Sequence, residues 1–141
     1  MIWKQEATLE GLNAMHGDTL NEALGIEMTE IGADYLTARM PVDKRTVQPY
    51  RILHGGASVC LAESLGSIAS TLCIGDLTKK MAVGVEINAN HLRPGTTPFV
   101  HGKARPVRVG RNIHVWNIEI RDDEGRLVCV SRITIAVVDR R

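Results

Sequence analysis

The sequence predicts an α+β domain in which one antiparallel sheet wraps around a long central helix, and three observations carry that expectation. Residues 57–73, ASVCLAESLGSIASTLC, are apolar on almost every side, the pattern of a helix surrounded by protein. From Lys80 onward the period changes to two, the pattern of strands. At 141 residues the chain has room for one such domain and not for two.

The elements follow in order. Thr8 is placed to cap a short helix over LEGLNAM, and Asp18 precedes a second short helix that Gly25 closes. IEMTEIG and DYLTARMPV alternate branched or apolar residues with polar ones around a turn at Gly32, Ala33 and Asp34, which reads as an opening hairpin. Asp43 to Leu53 holds Pro49 and no steady period, so it is a loop that delivers His54, Gly55 and Gly56 to the long helix, which Gly75 stops. After Lys80, Val83, Val85, Ile87 and Ala89 face one way, and Gly84, Glu86, Asn88 and Asn90 the other. Phe99 to Val109 and Asn112 to Ile120 are further strands, with a phase slip between Val115 and Trp116 that suggests a bulge. The last strand runs from Arg126 to Val138 after the turn DDEG, completing four strands in antiparallel succession. One face of the sheet covers the helix. A free edge strand remains, so pairing of two copies edge to edge is expected.

Composition narrows the class. Apolar residues make up 44% of the chain and charged residues 23%, as in ordinary globular proteins and unlike disordered ones. No apolar run approaches the roughly 20 residues that span a bilayer, and MIWKQEATLEGL lacks a signal-peptide core, so a cytoplasmic location is expected. Cys60, Cys73 and Cys129 are odd in number and widely spaced among apolar neighbours, which suggests buried, reduced thiols and neither a disulfide framework nor a zinc site. The net charge of +1 is unevenly spread: between Glu86 and Glu119 there is no acidic residue, while Arg93, Lys103, Arg105, Arg108 and Arg111 fall inside that window. An anionic ligand suits that window, whereas the near-neutral total gives little attraction to nucleic acid.

Three features carry chemistry. Glu63 interrupts an apolar helix, where a buried carboxylate is costly unless it is paired, hydrogen-bonded or used; otherwise it marks one wet stripe. Ser67 lies one turn on, about 6 Å along the axis, in position to hold a water near that carboxylate, although a small residue there also suits helix packing. His54-Gly55-Gly56 sits at the helix N-terminus, whose free N–H groups can bind a developing oxyanion, with Gln48 upstream as a further donor; an ordinary turn would show the same glycines. Trp3, Trp116 and Tyr50 are candidates to line a pocket for an aromatic ring, although tryptophan in a small domain also serves as core or interface filler.

Taken together, QPYRILHGGASVCLAESLGS, VGVEINANHLRPG and the terminal GRLVCVSRITIAVV resemble the hotdog-fold acyl-CoA thioesterases of the phenylacetate-pathway and 4-hydroxybenzoyl-CoA family, glutamate-dependent branch. Within that family the likeness is to the 1,4-dihydroxy-2-naphthoyl-CoA and enterobactin-proofreading thioesterases, the former tied to menaquinone biosynthesis. The resemblance implies a hotdog fold over residues 1–141, a six-stranded antiparallel sheet around the helix beginning near Gly55, assembled as a dimer and a tetramer of two dimers with active sites between subunits. It implies that Glu63 is nucleophile or general base, that Ser67 orients the water, that Gln48 and the Gly55 N–H polarise the thioester carbonyl, and that His54 holds the loop. It also implies that Gly84, then His91, Leu92, Arg93 and Pro94, then Arg108, Val109, Gly110, Arg111, Asn112 and Ile113 border the coenzyme A. No cofactor is implied, since coenzyme A is part of the substrate; acyl-carrier-protein thioesters are a second substrate class. His91 and Arg93, two apart on an extended chain, would share a face. Arg51 departs from the family, which has a small residue there, and this bears on substrate choice. The alternatives at this level are a hotdog dehydratase or hydratase, against which the missing Asp-x-x-x-x-His motif argues, and a non-catalytic acyl-CoA-binding module.

Overall fold

The structure, a computed structural model, describes residues 1–141. Two short helices, α1 (Leu9–Ala14) and α2 (Leu20–Ala23), precede a hairpin of β1 (Glu27–Ile31) and β2 (Leu36–Pro41). The long helix α3 (Gly55–Leu72) follows, then β3 (Lys80–His91), β4 (Phe99–Val109), β5 (Ile113–Asp122) and β6 (Leu127–Asp139). The strands form one antiparallel sheet in the order β1-β2-β4-β5-β6-β3, curved around α3. The expected simple succession of the last four strands does not hold: β3 pairs with β6 at the far edge, and β4 adds to β2. β3 is thus a twelve-residue edge strand.

Local chemistry explains the ends. The Thr8 side chain accepts the Gly11 N–H and caps α1. The N-cap of α2 is Thr19 and not Asp18, which takes a left-handed φ of 58°; the Thr19 hydroxyl donates to the His16 carbonyl instead of capping. Gly25, at φ 70°, ends that helix in the conformation glycine adopts freely.

The core is the seam between α3 and the concave sheet face. Ala57, Leu61, Ala62, Leu65, Ala69 and Leu72 of α3 are buried against Leu36, Ala38, Met40, Val100, Ile118, Ile120, Ile133 and Ile135. Glycine sets the depth of this contact. A Cβ on Gly66 would lie 2.5 Å from Ile133 Cγ2, and one on Gly102 would lie 2.7 Å from Leu65 Cδ1. Trp116 is wholly buried, with its Nε1 donating to Ser70 Oγ at 2.8 Å. Trp3 stacks on it at 6.2 Å between ring centroids and donates from its own Nε1 to the Gly32 carbonyl. These rings are core and strap, the filler role that tryptophan in a small domain also allows, and not the lining of a pocket.

Two strand phases differ from the expectation. β5 keeps an unbroken alternation, with His114, Trp116, Ile118, Ile120 and Asp122 inward. The register shift does fall at Val115 and Trp116, but the extra residue lies across the ladder in β4: Trp116 pairs with Pro106 and Val115 with Arg108, so Val107 is the bulge. β3 has a bulge between Gly84 and Glu86, so Ala82 before it and Ile87 and Ala89 after it face the core, while Val85 is 62% exposed. Val83 and Val85 therefore do not share a face with Ile87 and Ala89.

The N-terminal segment closes the far end of α3. Lys4 and Gln5 N–H groups both donate to the Leu72 carbonyl, and Gln5 Nε2 donates to the Ile74 and Gly75 carbonyls, partnering groups that a helix C-terminus leaves open. Cys73 and Cys129 are buried, and burial pushes the Cys73 thiol up to about 11; Cys60 is only half-buried. No helix is long and apolar enough to cross a membrane.

Because Ser70 and Trp116 are both fully buried, removing the acceptor leaves the indole N–H without a partner. Ser70→Ala is expected to lower stability by about 1–3 kcal/mol, read as a lower urea midpoint at unchanged slope.

Candidate active site

α3 is not enclosed on every side. Gly56, Cys60, Glu63, Ser67 and Thr71, spaced three and four apart, form one stripe that neither the sheet nor the N-terminal helices bury. Glu63 stands exposed on this stripe, and no basic side chain pairs with it. Its carboxylate rests over Gly84, where a Cβ would lie 3.0 Å from Oε1. The β3 bulge turns Gly84 toward the helix, and the absence of a side chain leaves room for the carboxylate. Ser67 and Thr71 continue the stripe; the Thr71 hydroxyl donates to the Ser67 carbonyl at 2.9 Å.

The loop before α3 is a tight hairpin. Val47 bridges Leu53, Gln48 N–H donates to the Ile52 carbonyl at 3.0 Å, and Arg51 N–H donates to the Gln48 carbonyl at 2.8 Å. Such a three-residue turn places its last residue in the left-handed region, and Arg51 has φ 66°. Tyr50 projects from the tip, 87% exposed. The Tyr50 N–H donates to Gln48 Oε1, which fixes the side-chain amide with its Nε2 as the remaining donor.

His54 ties this loop to the helix. Its backbone N–H donates to the Thr46 carbonyl at 2.8 Å, and buried Thr46 in turn donates through Oγ1 to the Pro41 carbonyl at the end of β2. As the N-cap of α3, His54 accepts the Gly56 N–H on Nδ1 at 2.8 Å, while its carbonyl accepts from the Ala57 and Ser58 N–H groups. Of the first-turn donors, the Gly55 N–H is left with no acceptor in the chain. That donor carries the positive end of an eighteen-residue helix. Gly55 itself is covered by His91, whose Nε2 would lie 2.7 Å from a Cβ there.

Within one chain these groups make two half-sites. Glu63 is eight residues along α3 from Gly55, about 12 Å at the rise of an α-helix. The basic groups divide likewise. Lys103 lies 4.0 Å over the Tyr35 ring, and Arg105 pairs with Asp34 at 3.4 Å, leaving Arg93, Arg108 and Arg111 without carboxylate partners. The β4–β5 turn, Arg108 to Ile113, falls at the Gly84 end of the sheet, since Ala136 of β6 pairs with both Ile113 and Val83. His91 to Pro94 falls at the other end, near Gly55. There β3 stops at His91, and the Leu92 and Arg93 N–H groups both turn to the Val128 carbonyl, so the strand that would put His91 and Arg93 on one face does not continue.

A groove of about 940 Å³ runs beside Ser67 between α3 and the N-terminal segment, lined among others by Met15, His16, Ile68, Thr71 and Leu77. None of these five was a candidate from sequence. Thr71 was within reach of such reasoning, being one turn beyond Ser67 on the stripe that begins at Glu63.

Comparison with known proteins gives one family. Residues 50–129 match the Thioesterase superfamily. The chain is 51% identical over 138 residues to the 1,4-dihydroxy-2-naphthoyl-CoA hydrolase of Escherichia coli K12, covering 98% of this chain and 100% of that one. It is 49% identical over 138 residues to the proofreading thioesterase EntH of Cronobacter turicensis, covering 98% and 99%. Among solved structures, a thioesterase of Haemophilus influenzae superposes with a TM-score of 0.95 at 49% identity, over 99% of this chain and 96% of that one.

One residue of the site holds a backbone conformation that its side chain opposes. Arg51→Gly relieves the left-handed strain at φ 66° and is expected to raise stability by about 1 kcal/mol after the entropy that glycine adds to the unfolded chain, read from urea unfolding.

Proposed function

The chain belongs to the Thioesterase superfamily, with the hotdog architecture of a sheet wrapped around one helix, and is a thioester hydrolase; from that premise we propose that it cleaves acyl-CoA thioesters at a site shared by two copies of the chain. The observation that carries this reading is the pair of half-sites. Two free donors, Gly55 N–H and Gln48 Nε2, stand at one end of α3, and an unpaired carboxylate stands two turns away on an open stripe.

The edge strand supplies the way to join them. Gly84 of β3 seats Glu63, and His91 of β3 covers Gly55. If β3 pairs antiparallel with β3 of a second copy about a twofold axis at Asn88, then with Val85 bulged out Gly84 of each chain falls opposite His91 of the other. Glu63 then faces the Gly55 and Gln48 of the second copy. The same pairing brings the Arg108 to Ile113 turn of one chain toward the His91 to Pro94 segment of the other, so arginines from both flank the coenzyme A phosphates. A twelve-residue unpaired edge favours such pairing. Further association into a tetramer of two dimers belongs to the same reading.

In the reaction the thioester oxygen sits against Gly55 N–H and Gln48 Nε2, donors already fixed by the cap on Gly56 and the turn at Tyr50. Negative charge that forms on this oxygen meets the positive end of α3 with little reorganisation. Glu63 attacks the carbonyl carbon or deprotonates a water held by Ser67; both routes use the same ionised carboxylate. The C–S bond breaks, releasing the acid and coenzyme A. The acyl group lies in the groove beside Ser67, whose volume and mixed lining suit an aromatic ring. The relative that hydrolyses a naphthoyl-CoA supports the same class.

Glu63→Gln is expected to lower kcat by at least about 100-fold with substrate binding largely kept, and near-normal turnover would remove Glu63 from this role. The shared site is tested by mixing inactive Glu63→Gln chains with inactive Gln48→Ala chains after subunit exchange. One of the two sites in each mixed dimer is then intact, and activity returns; no recovery would place the whole site within one chain. A panel of benzoyl, naphthoyl and straight-chain acyl-CoA thioesters, followed by thiol release, is expected to favour the aromatic members.

A further inference from the structure

We propose that His91 is the proton donor to the departing thiolate. The inference rests on the thioesterase reading above and adds a catalytic role for a group that the family resemblance places only along the coenzyme A.

The first step is where the carbonyl binds. His54 Nδ1 takes the Gly56 N–H, and the His54 carbonyl takes those of Ala57 and Ser58. The only first-turn donor left for a thioester oxygen is Gly55 N–H. The second step is what stands beside it. His91 Nε2 would lie 2.7 Å from a Cβ on Gly55, and its Cε1 and Cδ2 would lie 3.1 and 3.2 Å away, so the imidazole edge lies directly against this residue. The sulfur is bonded to the same carbon as the oxygen. A thioester seated on Gly55 N–H therefore has its leaving atom within a short reach of that ring.

The third step is which histidine is free to act. His54 already accepts a hydrogen bond on Nδ1, and protonating that nitrogen would break the cap on α3. His91 makes no hydrogen bond through either ring nitrogen in the chain, so it can hold a second proton and release it without dismantling anything. Leu92 and Arg93 N–H groups both donate to the Val128 carbonyl immediately after it, which anchors the end of β3 and fixes where the ring begins.

The step balances as follows. A Glu63 oxygen, or a water that has given its proton to Glu63, adds to the carbonyl carbon. As the C–O double bond re-forms, the C–S bonding pair leaves with sulfur, and sulfur takes the proton from His91 Nε2. The products are the thiol and an acyl group bonded to the new oxygen. His91 takes a proton back from solvent; where Glu63 was the base it returns to solvent the proton it took, and where it was the nucleophile a water hydrolyses the anhydride to the acid and frees the carboxylate.

A donor of this kind matters in proportion to the basicity of the leaving thiolate, which separates it from a residue that only binds or packs. The probes are two thioesters of benzoic acid without a nucleotide, one of N-acetylcysteamine and one of thiophenol, whose thiol is far more acidic. For His91→Ala, kcat/KM is expected to fall about 100-fold with the N-acetylcysteamine ester and less than about threefold with the phenyl ester. His91→Gln keeps an N–H but has no proton to give, and is expected to behave like the alanine variant. An equal loss on both esters, no loss on either, or recovery by glutamine would overturn the proposal. If the unsubstituted protein cleaved neither ester nor benzoyl-CoA, the thioesterase reading would fall first, a result distinct from failure of His91 alone. His91 is exposed, so both variants are expected to unfold at the temperature of the parent.

Discussion

The depth at which α3 sits in the sheet governs everything else in this molecule. Gly66 admits Ile133, and Gly102 admits Leu65, at separations where an added Cβ would meet the facing side chain closer than 3.0 Å. Ser70 then reaches Trp116 at hydrogen-bonding distance. With the helix at this depth, two of its residues come to rest on β3: Gly55 under His91, and Glu63 over Gly84. A helix held a little higher would keep its residues and lose both contacts. The packing of the core therefore also aligns the proposed site.

Much of this was legible in the residues, because the elements are long and the functional groups break local rules. Glu63 stood out as a charge inside an apolar helix, and His54-Gly55-Gly56 as glycines at a helix entry. What stayed hidden is instructive. Small residues on α3, such as Gly56, Cys60 and Ser67, count as apolar or neutral in a sequence pattern, so the open stripe looked buried. The bulge at Gly84 and Glu86 reverses the faces of β3 midway, and alternation alone carries no mark of where a strand slips. In β5 the inward series includes His114 and Asp122, which a hydrophobic pattern assigns outward. Asp122 tolerates that position because burial, which alone would raise its carboxyl, is outweighed by donors from Arg126 and Glu124 that hold it below the usual range. The place of β3 beside β6 is a matter of topology that no local signal records.

The division of labour along the loop from Pro41 to Gly56 is equally physical. Thr46 through Oγ1 and His54 through Nδ1 bond the backbone and so make the turn rigid; Gln48 and Gly55 each keep one donor in reserve. Neither member of the reserved pair is strained, while Arg51, between them, is. The turn geometry accounts for the Arg51 conformation, and the unspent donors on either side of it are those the proposed site uses.

The two indoles have a consequence of their own. Trp3 and Trp116 are the only tryptophans in the chain, and their rings lie nearly parallel at 11°. Ultraviolet emission from this protein is thus the signal of a single joint, where the first residues lie across the sheet and fasten the tail of α3. Since Trp116 is also wholly buried in the core, an optical trace would follow at once the packing of the domain and the seating of its first residues.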